Sequence, residues 1–120
     1  MDLTKNSCFF VLREAEGRLT SPDHPLKYPG NLTCMWIIAR PVGCTIQLTI
    51  SNFSLEKGFD FLNMYDGTDI PPALLGKWSG YDVPPVVQST TNHLVLLMTS
   101  DKFLEFSGFT ANYTSCKFDL

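Results

Sequence analysis

Apolar and polar residues alternate with a period of two along much of the chain. In Thr45 to Phe53, Ile46, Leu48 and Ile50 alternate with Thr45, Gln47 and Thr49, which predicts a half-buried antiparallel strand. Phe109 to Thr114 repeats the pattern, with Phe109, Ala111 and Tyr113 inward and Thr110, Asn112 and Thr114 outward. The stretch Phe59 to Gly67, FDFLNMYDG, places Asp60, Leu62 and Met64 on one face and Phe61, Asn63 and Tyr65 on the other; Asp66-Gly67 ends it in a turn. Leu62 and Met64 mark the first face as the buried one. Asp60 therefore heads a buried face, where a carboxylate needs a partner. Cys8 to Leu12, Thr33 to Ala39 and His93 to Thr99 read as further strands, with shorter ones at Arg18 to Ser21 and Val86 to Ser89. Ala73 to Trp78 fits either a short strand or a turn of helix. Residues 21–31, SPDHPLKYPGN, contain Pro22, Pro25 and Pro29, which exclude a helix and a central strand. Eight glycines and eight prolines punctuate these short strands, and no long stretch keeps a helical period, so the pattern predicts an all-β sandwich.

Composition narrows the function classes. A chain of 120 residues, 44% hydrophobic, suits one domain with a real core and excludes a disordered chain. The net charge of −3 and the lack of any Lys/Arg cluster exclude a nucleic-acid footprint. The longest apolar runs, such as Leu94 to Met98, are too short to cross a bilayer, so no direct membrane insertion is expected. The start does not resemble a signal peptide, and residues 1–7 are expected to be leader residues outside the domain. Four cysteines without a CxxC pair argue against a metal-thiolate site and leave three possible pairings. Sequons at Asn31, Asn52 and Asn112, together with the even cysteine count, predict an extracellular glycoprotein with disulfides. Asn112 and Asn31 are expected to be accessible to a glycan, Asn52 less clearly so. An enzyme is not expected: His24 and His93 lie beside no recognisable nucleophile and read as solvated surface residues.

Five pieces of the chain, in order, resemble the CUB domain family. SPDHPLKYP resembles that family's "SP-x-(F/Y)-P-x-x-YP" loop, Cys34-Met-Trp36 its "C-x-W", and FDFLNMYDG its "YD-x-L-x-(I/V)-Y-D-G". Ser89 to Asn92 resembles "S-T-x-N", and Ser100-Asp101 with Gly108 to Tyr113 resembles "SD … GF-x-A-x-Y". The resemblance covers residues 8–114 and implies a jellyroll-like antiparallel β-sandwich of two sheets, a single domain over 8–116 with a tail at 117–120. It also implies a Cys8–Cys34 disulfide. The second bridge common in the family is absent: Phe59 and Ser79-Gly80 stand in its place beside Trp78, and an aromatic contact is expected there instead. Cys44 and Cys116 fall outside the usual pattern. If Thr45–Phe53 and the last strand are antiparallel neighbours, as in the family, their opposite ends set these two cysteines side by side.

By the same resemblance, calcium is the expected cofactor, held by Glu56, Asp60 and Asp101 with Tyr28 ordering them; three carboxylates supply the hard oxygens that calcium prefers. The competing reading is a carboxylate cluster held by hydrogen bonds alone. Two features depart from the family: the Glu56–Asp60 loop is short, and Lys102 and Phe103 follow Asp101 where small polar residues are usual. The implied function is non-enzymatic recognition of an extracellular protein, through a calcium-organised loop end that takes a basic side chain of the partner, within a larger secreted or cell-surface protein. A structural spacer and a carbohydrate-binding module are the alternatives. Trp78, Tyr81 and Phe103 are candidate aromatic contacts, each weighed against core packing; Trp36 reads as core.

Overall fold

The computed structural model describes residues 6–101 and 106–116. These residues form nine strands: β1 Asn6–Leu12, β2 Glu16–Thr20, β3 Leu32–Ala39, β4 Ile46–Ser54, β5 Phe61–Asp66, β6 Ala73–Trp78, β7 Val87–Gln88, β8 His93–Thr99 and β9 Gly108–Ser115. One sheet has the order β1-β3-β8-β5-β6 and the other β2-β9-β4-β7. The expected jellyroll-like sandwich is present, with one departure from antiparallel pairing. β1 runs parallel to β3, with Cys8 opposite Cys34. Between them the chain crosses to the second sheet for β2 and returns through residues 21–31, and such a crossover permits the parallel pairing that a hairpin cannot make. β1 begins at Asn6, inside the stretch expected as leader. The expectations on residues 1–5, Lys102, Phe103 and 117–120 fall outside the described residues. Ala73–Trp78 is a strand, not a helical turn; it pairs with β5 through a bulge between Met64 and Tyr65.

The inward faces are those the alternation marks, except that Thr110, expected to face outward, is only 2% exposed. Leu62 and Met64 of β5, Leu94, Leu96 and Met98 of β8, and Ile38 of β3 are fully buried from one sheet; Ile46 and Leu48 of β4 and Phe109 and Ala111 of β9 meet them from the other. Trp36 packs edge-on against Phe109, with ring centroids 5.4 Å apart, and joins the two sheets near the middle of the core.

The proline-rich loop 21–31 is fastened across one end of the sandwich by backbone bonds. Ser21 and Phe109 exchange hydrogen bonds, the Tyr28 amide donates to the Phe106 carbonyl (3.1 Å), and the Asn31 amide donates to the Asp101 carbonyl. Ser100 Oγ donates to the Pro29 carbonyl (3.0 Å) and accepts from the Leu32 amide (3.0 Å). Gly108 is needed at this seam: its φ is +87°, and a Cβ there would lie 1.8 Å from Ser21 Oγ.

The far end of the sandwich is held differently. Arg40, only 7% exposed, donates from Nε to Ser115 Oγ (2.9 Å), from Nη1 to the Arg13 carbonyl (2.7 Å) and from Nη2 to the Cys116 carbonyl (3.2 Å). β4 and β9 are antiparallel neighbours with Ile46 opposite Ser115, which brings Cys44 and Cys116 together in a disulfide with Cα atoms 5.4 Å apart. Cys8 and Cys34 form the second disulfide, with Cα atoms 4.5 Å apart. At the same far end Asp66 closes β5. Its carboxylate accepts four bonds, from the amides and hydroxyls of Thr90 (2.8 and 2.6 Å) and Thr91 (3.1 and 2.8 Å). Burial pushes this carboxyl upward, but the four bonds outweigh it and hold the group below the usual carboxylate range.

Two predictions follow from these fastenings. The Cys44–Cys116 bridge closes a 72-residue separation and Cys8–Cys34 one of 26. On chain-entropy grounds the Cys44→Ser/Cys116→Ser pair is expected to cost about 4 kcal/mol and the Cys8→Ser/Cys34→Ser pair about 3 kcal/mol in denaturant unfolding; the reverse order would contradict the loop-length account. For Asp66 the folded-state pKa is depressed, so its stabilisation is present above the unfolded value of about 4 and is lost as pH falls through the folded one. Asp66→Asn is therefore expected to be less stable than wild type at neutral pH and to show a shallower loss of melting temperature on acidification below about pH 4.

Candidate functional site

Asp60 is fully buried at the head of β5, and three segments converge on it. The first is the turn that precedes it. The amides of Phe59 and Asp60 both donate to the Glu56 carbonyl (3.2 and 2.9 Å), with Gly58 at φ +82°, and this folds Glu56 back over Asp60. The second is the loop 21–31, which brings Tyr28 into the core end at 0% exposure. The Tyr28 hydroxyl donates to Asp60 Oδ2 and accepts from the Glu56 amide (3.2 Å). Burial first, and then the bond to the Asp60 carboxylate, raise the Tyr28 hydroxyl far above the ordinary phenol range, so it stays protonated as a donor. The third is the segment after β8, where the Asp101 amide donates to Asp60 Oδ1 (2.9 Å).

Glu56, Asp60 and Asp101, the three carboxylates singled out in the sequence, are thus brought together, with Tyr28 beside them. One carboxylate oxygen from each lies within 4.8 Å of the other two, and Glu56 and Asp101 are half-buried above the buried Asp60. Among the described residues each Asp60 oxygen accepts one hydrogen bond, and a carboxylate oxygen has a second lone pair. Like charges at this spacing in a partly desolvated site repel, and an added cation relieves the repulsion. A set of hard carboxylate oxygens suits calcium better than it suits softer metals. Among the described residues this is the group of carboxylates able to hold a metal ion.

The place of the family's missing bridge is not filled by an aromatic contact. Phe59 is 64% exposed, and Trp78 packs inward against the core. The link is instead made by Ser79. Its Oγ reaches the carbonyls of Glu56 (3.1 Å) and Asp60 (2.7 Å) as donor and accepts from the Gly58 amide (2.9 Å). The Leu55 amide donates to the Gly80 carbonyl (2.9 Å) alongside. Neither Ser79 nor Asp66 was singled out from sequence as more than turn material, although Asp66 stands in the "Y-D-G" of the resemblance. Tyr81 is 65% exposed with its ring 5.8 Å from that of Phe106, at the same end as the carboxylates. The histidines are less solvated than expected: both are half-buried, and the His24 ring shares a 2.8 Å hydrogen bond with the Ser107 carbonyl. Asn52 and Asn112 are exposed, whereas Asn31 is half-buried with φ +52°.

Comparison with known proteins agrees with this architecture. The family model for the CUB domain matches residues 8–113. Zinc metalloproteinase nas-39 of Caenorhabditis elegans is 35% identical over 115 residues, covering 92% of this chain and 12% of that protein. Pig cubilin is 36% identical over 111 residues, covering 89% of this chain and 3% of that protein. The chain therefore spans a small part of these relatives. Among solved structures, the MASP-1 CUB2 domain bound to Ca2+ superposes with a TM-score of 0.78 at 22% identity, covering 87% of this chain and 96% of that one. The relatives are extracellular or cell-surface proteins, a location that the two disulfides fit. The chain belongs to the CUB domain family, non-catalytic extracellular modules that mediate protein interactions.

Proposed function

We propose that this domain binds calcium at Glu56, Asp60 and Asp101 and uses the calcium-organised end to take a basic side chain of an extracellular protein partner. The observation that carries the reading is the convergence of the three carboxylates, within 4.8 Å of one another, on a fully buried Asp60 fixed by Tyr28 and by the Asp101 amide. Calcium-bound MASP-1 CUB2 shares the fold. Calcium supplies the positive charge that lets the three carboxylates sit together and ties three separate loops to one point. Three carboxylates against one dication leave a net charge of −1 facing outward, which suits an ammonium or guanidinium group. Exposed Phe59 and Tyr81 at the same end supply the apolar area that concentrates binding energy.

One of the sequons fits the same orientation. Asn112 is exposed opposite the exposed Thr49 in the middle of β9, away from the carboxylates, so a glycan there leaves the carboxylate end open.

Calcium binding only to the folded state stabilises it, by about 2.7 kcal/mol at a hundredfold excess over the dissociation constant. Millimolar calcium is expected to raise the melting temperature of the wild type and to leave that of Asp101→Ala and Glu56→Gln unchanged. No calorimetric heat and no thermal shift in the wild type would reduce the carboxylates to hydrogen-bonded loop anchors and the domain to a spacer. Separately, intact-mass analysis of protein secreted from a eukaryotic host is expected to show a glycan lost on Asn112→Gln; an unmodified Asn112 would count against this placement.

A further inference from the structure

The two outer faces of the sandwich differ in kind. On the β2-β9-β4-β7 sheet the outward residues are polar, among them Arg18, Asn112, Thr49 and Gln47. On the β1-β3-β8-β5-β6 sheet the outward residues are largely apolar, with Thr33, Thr99, Asn63 and Lys77 as polar exceptions toward the carboxylate end. Phe9 stands beside Met35 and Val11 beside Ile37, while Leu97 lies between Met35 and Asn63 and Leu74 beside Tyr65. Phe9 is 61% exposed, Leu74 57%, Val11 41%, and Ile70 in the loop after β5 97%. Over β3, β8 and β5 this face is hollowed into an apolar groove of about 310 Å³, lined by Met35, Ile37, Tyr65, Val95, Leu97 and the loop from Gly67 to Pro72.

We infer that this face is a dimerisation surface and that its occupant is a second copy of the same chain, packed face to face about a two-fold axis. Three observations favour a second copy. The first is area. Taking roughly 200 Å² for a fully exposed aromatic side chain and somewhat less for an aliphatic one, the exposed apolar side chains sum to on the order of 500 Å². This lies at the upper end for a monomer's largest patch, and the exposed Thr33 and Lys77 on the same face extend it toward the roughly 800 Å² per partner that a stable interface buries. The second is self-complementarity. An isologous contact needs one patch that carries both a projection and its receptor. Sheet order and register supply this: a two-fold running along the strands between β3 and β8 sets β1 of one copy over β5 of the other, with Val11, level with Ile37 and Val95, over Tyr65 in the groove and Phe9 over Asn63 beside it. The third is charge. The whole chain carries −3, but the groove has a single charged lining residue, Asp69, in its loop wall, so two copies can meet here with little like-charge repulsion. Sheets packed in this way sit about 10 Å apart with their side chains interdigitated.

Sedimentation equilibrium of the whole chain, with and without a calcium chelator, tests this. The wild type is expected to dimerise reversibly in the micromolar range and to do so equally with the chelator, because the groove lies on the sheet face and uses none of the three carboxylates. Phe9→Glu and Leu74→Glu, both at exposed positions, are each expected to raise the dimer dissociation constant more than tenfold while leaving the melting temperature of the monomer within a few degrees. Thr49→Glu on the opposite face is expected to change neither. A wild type that stays monomeric at high concentration overturns the proposal, and so does a dimer that survives both glutamate variants. A dimer that dissolves only on calcium removal would place the contact at the carboxylate end and would also overturn it.

Discussion

A carboxylate at zero exposure cannot be left without partners, and the organisation of one whole end of this domain follows from that demand at Asp60. Desolvating a charge costs several kcal/mol unless hydrogen bonds or a cation replace the water. Here one oxygen takes the Tyr28 hydroxyl and the other the Asp101 amide, so residues from the proline-rich loop and from the exit of β8 are fixed by the same side chain. The loop 21–31 is long and has no regular hydrogen bonding of its own. It is held because Tyr28 is anchored at one point and Ser21, Pro29 and Asn31 are tied to β9 and to the exit of β8 at others. Remove the carboxylate and the tyrosine loses its acceptor in the core, and the Glu56 amide loses the hydroxyl positioned to receive it.

β5 carries an aspartate at each end, and the two are stabilised by different means. Asp60 is buried and shares its site with two other carboxylates. Asp66 is half-exposed and satisfied by two threonines with four hydrogen bonds and no second charge. The first arrangement invites a cation; the second already has all the donors it needs. The same residue type in one strand thus yields a candidate binding group at one end and a turn fastener at the other, and the difference lies entirely in what the neighbouring strands deliver.

Much of this was legible in the sequence because a half-buried strand writes its orientation in alternation. Ile46, Leu48 and Ile50, and Asp60, Leu62 and Met64, fall on the face their spacing demands. Legibility failed where the outer face is apolar as well. β8 reads Leu-Val-Leu-Leu-Met, and its outward Val95 and Leu97 cannot be told from inward residues by type. β6 was ambiguous for a related reason: a bulge lets both Leu74 and Leu75 face solvent, so no burial period survives. The parallel pairing of β1 depends on a crossover between sheets, which no local pattern records. At the site, the carboxylates and Tyr28 were found through motif order. Ser79 was not, because its role depends on carbonyls 19 and 23 residues away and not on its own neighbours.

The placement of the two disulfides has a mechanical consequence. β1 begins at the carboxylate end and β9 finishes at the far end, so tension applied between Asn6 and Cys116 would run along the strands. Cys8 is joined to Cys34 and Cys116 to Cys44, so the shortest covalent route between those points is the stretch from Cys34 to Cys44. That stretch is mostly β3, already extended, and cannot exceed roughly 35 Å when drawn straight. Load would pass through β3 and the Pro41–Gly43 turn, and the loops that carry Tyr28, Glu56, Asp60 and Asp101 would lie outside its path. The domain would then behave under pull as a nearly inextensible link whose carboxylate end stays slack and keeps its shape.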